Sequence, residues 1–481
     1  MSVRVRYAPS PTGNQHIGGL RTALFNYLFA KANNGKFILR IEDTDRERFK
    51  KDALQDIYNT FDWLGFHWDE GPDRGGEYGP YFQSERKEIY REYADKLLES
   101  GKAYYCYCSS ERLEELRNSK QFGYDRKCRN LSVEEKKQFQ SSGIKPVIRL
   151  KIPMEGVTEF HDEVLGKIKR GNKDISPDPV ILKSDGFPTY HLANVVDDHL
   201  MEITHILRAQ EWIPSVPIHI HLYKAFGWEP PRFCHLPMVI GKDGQKLSKR
   251  HGSTSVIEFI KAGYLPEAII NYVSLLGWSF DDKREFFTLE ELEKLFSIEK
   301  LNKSPAVFDY KKLDWFSGMY IRKLENKDLK QKILPYLKES GFIAEPLSEL
   351  QEEIVDKLLP LVKERLKHIS DVTGLVGFLF NEVEVKAEDL IPKRLDKDKT
   401  LEVLEECTKL LMDFEKISDE VHEQNFRDAS EKLGVKLGDM LFPFRVAITG
   451  STVSPPLFES VRCFGVDKSI SRLKNAIGIL R

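Results

Sequence analysis

Apolar and polar positions alternate with two different periods along the first sixty residues. Residues 3–7 alternate apolar with charged side chains, which is typical of a half-buried strand. After a turn rich in proline and glycine, apolar residues recur at helical spacing over 18–31. A second strand is predicted over 36–41 and a second helix over 50–63. This order predicts a parallel sheet with right-handed crossovers, and therefore an α/β protein.

The pattern changes between residues 84 and 179. Amphipathic helices are predicted here on both sides of a patch rich in tyrosine and cysteine, and an alternating run follows them. The predicted elements are helices 85–99 and 109–118 and strand 146–152. We interpret 84–179 as an α+β insertion into the sheet domain. The α/β pattern then resumes at 180–182, continues through the apolar helix 218–226 and reaches strand 239–240.

Strand patterns nearly vanish beyond residue 320. Charged amphipathic patterns replace them, for example over 350–366 and 401–414, and predict an all-helical C-terminal domain. No internal repeat or low-complexity tract interrupts the chain.

Composition narrows the class of protein. The chain has 481 residues, 73 Lys and Arg against 75 Asp and Glu, and 41% hydrophobic residues. That length favours two or three domains, and the apolar content excludes intrinsic disorder. The net charge of −2 excludes a histone-like polycation but leaves local nucleic-acid-binding patches open. No membrane span or secretion signal is predicted, so we expect a cytoplasmic protein without a membrane partner.

Two short motifs have the residue types that bind anions. His16, Gly18 and Gly19 lie where the first strand turns into a helix, and such a terminus offers unpaired N–H groups. Far downstream, Lys246 and Lys249 belong to a glycine-punctuated loop that starts at residue 241. Alone, the first motif is more often an ordinary turn and the second a solvated basic loop. On either side of one sheet, the two together could clamp a triphosphate.

Several motifs resemble one enzyme family. HIGG at 16–19 and KLSKR at 246–250 resemble the two signatures of class I aminoacyl-tRNA synthetases. The chain resembles the glutamyl-tRNA synthetases more narrowly, on five further segments. These are 6–13 (RYAPSPTG), 40–46 (RIEDTDR), 183–199, 208–212 and, more weakly, 436–450.

The resemblance implies ATP-dependent activation of glutamate to glutamyl-adenylate, followed by transfer to the 3′ end of tRNA(Glu). Glutamate, ATP with Mg²⁺ and tRNA(Glu) are the implied partners, and we expect a monomer. Attack of a carboxylate on the α-phosphate needs charge neutralisation and positioning, for which His16, Lys246 and Lys249 are suited as catalytic groups. By motif match, the residues that would bind the substrate glutamate are Arg6, Ala8, Ser10, Glu42, Tyr190, Asn194 and Arg208. The residues that would bind ATP are His16, Gly18, Gly19, Glu211, Val239, Lys246, Lys249 and Arg250.

The glutamate set agrees with the substrate's charges. Two carboxylates require two guanidinium groups, offered by Arg6 and Arg208, and Glu42 can receive the α-ammonium. For an isolated arginine or glutamate, a surface ion pair is the commoner explanation.

Cys106, Cys108 and Cys128 are the right residue type for a tetrahedral zinc site. Zinc-bearing relatives place a histidine two residues after the last cysteine, but this chain has Asn130 there. Tyr124 could supply the fourth ligand, as it does in a shorter relative of the family. Three buried core cysteines remain the alternative.

The resemblance also implies a division of labour along the chain. It assigns 1–83 with 180–240 to a Rossmann-type catalytic domain, 84–179 to the tRNA acceptor end, and 241–320 to a stem-contact region that holds the KLSKR loop. Residues 321–481 would form the helical anticodon-binding domain, with Arg365 hydrogen-bonded to an anticodon base. Two alternatives remain: an enzyme that attaches glutamate to a modified base of another tRNA, and an inactive tRNA-binding paralogue.

Overall fold

The computed structural model describes residues 2–45, 47–119 and 123–481, without the side chains of Lys249 and Asp419. Arg46, the last residue of the 40–46 motif, therefore lies outside the described residues. The chain divides into two compact units, Met1–Phe259 with Pro266–Tyr310 and Ile260–Leu265 with Lys311–Arg481. The second unit thus begins before the predicted boundary at 321.

The first unit holds eleven strands among the described residues. They are β1 Arg4–Tyr7, β2 Lys36–Leu39, β3 Ala103–Cys106, β4 Val147–Leu150, β5 Val157–Asp162, β6 Gly166–Gly171, β7 Val180–Leu182, β8 His205–Ala209, β9 Arg232–Leu236, β10 Val239–Ile240 and β11 Ala306–Val307.

Parallel pairing dominates the part that precedes and follows the predicted insertion. Strands β1 and β2 are parallel, and so are β8 with β9 and β10 with β11. The N–H of Thr204 donates to the carbonyl of Arg4 at 2.9 Å, which joins the start of β8 to β1. The predicted parallel α/β class is confirmed.

The helices that the sequence predicted in the first unit begin within about two residues of their expected positions, and other helices lie between them. The helices that include residues of this unit are α1 Ile17–Ala32, α2 Lys51–Leu64, α3 Lys87–Glu99, α4 Ser110–Asn118, α5 Val133–Ser141, α6 Tyr190–Leu200, α7 Val216–Phe226, α8 Val256–Lys261, α9 Pro266–Ser274 and α10 Leu289–Leu295. Helix α1 is buried around most of its circumference, because it is apolar on nearly every side. Its buried position fixes the N-terminus, where the HIGG motif lies.

Strand pairing joins the predicted 84–179 insertion to the residues that follow it, in two separate sheets. Strand β7, expected to resume the catalytic sheet, pairs antiparallel with β4 in a three-stranded sheet β3-β4-β7. Strand β5, expected within the insertion, pairs parallel with β9, in the four-stranded order β6-β5-β9-β8. Strands on the two sides of residue 179 are therefore joined by hydrogen bonds. Hydrophobic periodicity identifies a strand but does not identify its partner, which long-range hydrogen bonds select.

The described residues of the second unit contain helices and no strand. The helices are α11 Tyr310–Lys323, α12 Asn326–Glu339, α13 Glu349–Lys363, α14 Asp371–Phe380, α15 Ala387–Leu390, α16 Lys397–Leu410, α17 Asp419–Lys432, α18 Leu437–Thr449, α19 Leu457–Phe464 and α20 Val466–Leu480. Leu404, Phe426, Phe444 and Leu473, from four of these helices, meet in one buried core. The predicted all-helical C-terminal region is confirmed. None of the described helices has the length and apolar run needed to cross a bilayer.

Candidate active site

A cavity of about 780 Å³ lies in the first unit at the carboxyl ends of β1 and β8. Parallel α/β sheets bind ligands at this edge, because loops and helix N-termini converge there. Predicted residues from distant parts of the chain line the cavity together. They are Arg6, Ala8, His16, Gly18, Gly19, Glu42, Tyr190, Asn194, Arg208, Glu211, Val239 and Lys246.

Three predicted residues are not part of this lining as it is described. Ser10 is exposed on the turn after β1. Arg250 is also exposed, and its Nη2 lies 3.7 Å from Oδ2 of Asp243. The side chain of Lys249 lies outside the described residues, although its backbone begins a short 3₁₀ helix, Lys249–His251.

Arg6 is held by a carboxylate that the sequence analysis did not single out. Its Nε donates to Oδ1 of Asp198 at 3.0 Å and its Nη2 donates to Oδ2 at 3.2 Å. Both side chains are buried. Burial alone would raise the pKa of Asp198, but the charges of Arg6 and Arg40 outweigh it and lower that pKa. Nη1 of Arg6 has no hydrogen-bond partner among the described residues, so one donor remains for a ligand.

Arg208 also keeps one donor open. Its Nη1 donates to the hydroxyl of Tyr190 at 2.7 Å, and its Nε donates to Nε2 of His235 at 3.1 Å. Its Nη2 is buried and has no partner among the described residues. An unpaired buried donor is costly, and a ligand carboxylate would satisfy it.

Glu42 supplies a negative charge to the same cavity. Its Oε1 lies 3.4 Å from Nη2 of Arg40. Burial raises the pKa of Glu42, and the charges of Arg40 and Arg6 oppose that shift. Two guanidinium donors and one carboxylate match a small ligand that carries two carboxylates and one ammonium group.

Helix α6 positions several of these groups through its spacing. Tyr190, Asn194 and Asp198 are four residues apart and therefore share one face of the helix. When the Asn194 amide is oriented with its oxygen toward the guanidinium groups, it accepts from Nη2 of Arg40 at 3.1 Å and Nη2 of Arg6 at 3.2 Å. One helical face thus fixes both the hydroxyl that bonds Arg208 and the carboxylate that bonds Arg6.

His16 begins helix α1 as its N-cap. Its Nδ1 accepts the backbone N–H of Gly19 at 3.1 Å, so the neutral ring carries its proton on Nε2. The cavity walls around the ring lower the pKa of His16, and the charge of Lys246 lowers it further. A Cβ at Gly19 would lie 2.9 Å from the hydroxyl of Tyr7, so only glycine allows this close approach without displacement. The helix terminus offers backbone N–H groups and a neutral imidazole to an anion.

The second loop faces the cavity from β10. The N–H of Gly241 donates to the carbonyl of Gln245 at 2.8 Å, which closes the loop, and Gly244 has φ +75° at its tip. Lys246 Nζ lies 2.5 Å from Oε2 of Glu211, and both side chains are largely exposed. The pairing places a cation and an anion at the cavity where the motif match expects ATP.

The sequence analysis missed Trp212, which lines the cavity, and two residues that bond its lining arginines. The Trp212 ring packs against the Tyr190 ring at a tilt of 35°, with ring centroids 4.4 Å apart, and Asp198 and His235 hold the two arginines. Asp198 lies inside the 183–199 motif and Trp212 inside 208–212, so the resemblance contained a signal for both. His235 carries no local signal, because its role depends on the pairing of β8 with β9.

The three predicted cysteines converge in the described structure. The sulfur atoms of Cys106, Cys108 and Cys128 all lie within 4.8 Å of one another. The Tyr124 hydroxyl lies 3.4 Å from the Cys106 sulfur and 3.6 Å from that of Cys108. Zinc–sulfur bonds of about 2.3 Å place tetrahedral ligand atoms about 3.8 Å apart, so the donor set fits Zn²⁺. The same residues also form a small buried cluster, so the core-cysteine alternative remains compatible with the packing.

Arg365 is exposed and lies two residues after the end of α13 in the second unit. Burial lowers the pKa of Arg445, and the positive charge of Arg365 lowers it further. The two guanidinium groups therefore repel each other, and an anion would relieve the repulsion.

Comparisons with known proteins agree with this geometry. Residues 2–315 match the family described as tRNA synthetases class I (E and Q), catalytic domain, and residues 328–477 match an anticodon binding domain family. The glutamate–tRNA ligase of Borreliella burgdorferi is 55% identical over 100% of this chain and 99% of the relative. That of Treponema denticola is 53% identical over 99% of both.

A solved structure extends the comparison to the fold. The crystal structure of a glutamate tRNA ligase from Elizabethkingia meningosepticum, in complex with its amino acid, is 34% identical. It covers 100% of both chains with a TM-score of 0.83. The chain therefore belongs to the glutamate–tRNA ligase family of class I aminoacyl-tRNA synthetases.

Proposed function

We propose that the cavity at the ends of β1 and β8 is where this ligase forms glutamyl-adenylate from glutamate and ATP. The enzyme ligates glutamate to tRNA, and AMP and diphosphate leave. The open donors on Arg6 and Arg208, together with the Glu42 carboxylate, carry the proposal. Arg6 then binds the side-chain carboxylate of glutamate, Arg208 the α-carboxylate and Glu42 the α-ammonium.

The other wall of the cavity binds ATP, which enters as its Mg²⁺ complex. The glutamate carboxylate attacks the α-phosphorus, a new O–P bond forms, and diphosphate departs. His16 donates Nε2–H to phosphate oxygen, and Lys246 and Lys249 neutralise charge that develops in the transition state. The Lys246–Glu211 ion pair must open to release the cation, which is a small cost at an exposed site.

The 84–179 region receives the acceptor end of tRNA in this proposal. A second cavity, of about 400 Å³, supports the assignment. Arg91, Lys145 and Lys183 bring positive charge to it, and Tyr105 and Tyr107 bring aromatic rings. Cations bind phosphate and rings stack on unpaired bases, which a single-stranded 3′ end exposes. The turn after β7 that carries Lys183 leads directly into α6 and Tyr190 of the glutamate pocket.

Zn²⁺ is proposed at Cys106, Cys108 and Cys128, with Tyr124 as the fourth ligand. The converging sulfur atoms support this, and the metal would stabilise the fold locally rather than react. In the second unit, the positive charge of Arg365, which acts on Arg445, supports contact with the polyanionic anticodon loop of tRNA(Glu).

Purified glutamate and glutamine tRNAs with radiolabelled glutamate test the function directly. Charging of tRNA(Glu) is the expected result. Label that enters only a different tRNA, in a parallel reaction with total tRNA, would instead favour an enzyme that modifies a base. Absence of both would favour the inactive paralogue.

A further inference from the structure

The contacts of Arg208 lead away from the cavity into the sheet. Arg208 on β8 and His235 on β9 are directly paired residues of parallel strands. His235 is fully buried, and its Nε2 accepts from Nε of Arg208 at 3.1 Å. Since Nε2 is the acceptor, the neutral ring must carry its proton on Nδ1.

Asp162, at the end of β5, accepts the hydrogen bond that this N–H group donates. Its Oδ2 accepts from Nδ1 of His235 at 2.7 Å and from the backbone N–H of His235 at 3.1 Å. Its Oδ1 accepts the backbone N–H groups of Val164 and Leu165 at 3.0 and 2.9 Å. Four donors therefore hold a carboxylate that is completely buried, so its orientation is fixed.

The two arginines of the cavity are held in different ways. Arg6 contacts the carboxylate of Asp198 directly, whereas an imidazole separates Arg208 from the carboxylate of Asp162. A direct carboxylate partner neutralises much of a guanidinium charge. The interposed ring fixes the orientation of Arg208 and leaves its charge more available to a ligand. Burial lowers the pKa of His235 against the opposing effect of Asp162, which keeps the ring neutral.

We propose that Asp162 and His235 are positioning residues that act through Arg208 to set the affinity for glutamate. The inference rests on the proposed role of Arg208. It also assigns part of the amino-acid site to the hairpin β5–β6, which lies within the region expected to bind only the tRNA acceptor end. Nothing in the sequence motifs indicates this, since neither residue belongs to a signature segment.

The test is steady-state aminoacylation by the full chain, with the KM for glutamate, the KM for ATP and kcat measured separately. Asp162→Asn can donate where a carboxylate only accepts, and so favours the wrong histidine tautomer. We expect it to raise the KM for glutamate about 10- to 100-fold, the cost of one hydrogen bond to a charged group. The KM for ATP and kcat should change less than about threefold, which is within the scatter of independent sites.

A second pair of variants protects the test against simple loss of folding. His235→Leu removes both bonds, whereas the amide oxygen of His235→Gln can still accept from Arg208. The glutamine variant should therefore recover part of the affinity lost in the leucine variant. Thr158→Val is the matched control on the same strand, since Thr158 is buried but bonds Asn172 and His221 instead. It should leave the KM for glutamate near that of the wild type.

The double variant Asp162→Asn with Arg208→Gln decides whether the effect passes through Arg208. If it does, the KM for glutamate of the double variant should stay close to that of Arg208→Gln alone. If the increases in the KM for glutamate of the two single variants multiply in the double variant, the inference is wrong. It is also wrong if Thr158→Val raises this KM as much as Asp162→Asn does. If Arg208→Gln raises this KM and Asp162→Asn does not, only the positioning role is wrong. If Arg208→Gln leaves it unchanged, the proposed role of Arg208 is wrong and the inference falls with it.

Discussion

Arg6 and Asp198 form a buried bidentate pair, with Nε to Oδ1 at 3.0 Å and Nη2 to Oδ2 at 3.2 Å. The residues lie 192 positions apart in the chain, on β1 and on α6. The pairing fixes the guanidinium plane and leaves Nη1 as the donor that a ligand can reach. In the proposed function, this donor and the open Nη2 of Arg208 are the groups that meet the two carboxylates of glutamate.

Arg6→Gln should lower the rate of adenylate formation with glutamate and reduce the preference of the enzyme for glutamate over glutamine. The amide of glutamine turns N–H donors toward a guanidinium that can only donate, and the variant removes that conflict. Arg208→Gln should weaken both amino acids alike, because both have an α-carboxylate. Adenylate formation with each amino acid, in the presence of tRNA, measures the ratio. If neither variant changes it, charge pairing does not explain the specificity.

Lys249→Ala and Lys246→Ala should each lower the rate of tRNA charging by about 10² to 10³, the usual effect of removing a group that stabilises transition-state charge. The KM values should change less. Lys242→Ala is the matched control in the same loop, because Lys242 is exposed and pairs with Asp309 at 2.9 Å. Near-normal charging in the first two variants would mean that the loop is only a solvated surface.

Elemental analysis should find about one zinc atom per chain, as expected for one tetrahedral site. Cys106→Ser should lose the metal and lower the stability of the region around β3, while the KM for glutamate stays unchanged. Cys463→Ser, in the second unit, should keep the zinc content of the wild type. Fully active protein without zinc would show that the three thiols are core residues.

Arg365→Ala should raise the KM for tRNA(Glu) and leave glutamate and ATP binding unchanged. Loss of one arginine contact to a base costs about 1 to 3 kcal/mol, or about 5- to 150-fold. Arg427→Ala serves as control, because Arg427 is an exposed helix residue paired with Glu423. Equal KM values for tRNA in both variants would remove Arg365 from the anticodon site.

Two histidines should give opposite pH dependence of stability. Burial lowers the pKa of His191 to about 4, so its contribution is complete above the unfolded pKa of about 6.5 and is lost as pH falls toward 4. Burial also opposes charge on His368, but Asp371 and Asp314 outweigh it and raise its pKa. Its contribution is therefore complete below about pH 6.5 and is lost as pH rises through the folded pKa.

Urea unfolding between about pH 4.5 and 8 tests both signs. The His191→Asn variant should lose less stability than the wild type as pH falls, by at most about 1.4 kcal/mol per pH unit. The His368→Asn variant should show its largest deficit at low pH. Parallel curves for wild type and both variants would contradict the assignment.

Local pattern was sufficient for the first strands and helices of the chain and for the position of the HIGG and KLSKR loops. Strand β1, helix α1 and helix α2 begin within a residue or so of their predicted positions, because hydrophobic period and turn residues act over neighbouring positions. The shared face of Tyr190, Asn194 and Asp198 also follows from spacing alone, since residues four apart adjoin on a helix. Family motifs then added the roles that spacing cannot supply.

Tertiary structure decided which partners those residues have. Asp162 and His235 meet because β5 pairs with β9, and Arg208 joins them because β9 pairs with β8. The period of a strand shows which of its side chains share a face. That period does not depend on which strand lies alongside, so it cannot identify the partner. The sequence by itself therefore determined part of the element order and several of the charged groups in the cavity. Only the fold determined which guanidinium nitrogens are already bonded and which have no partner among the described residues.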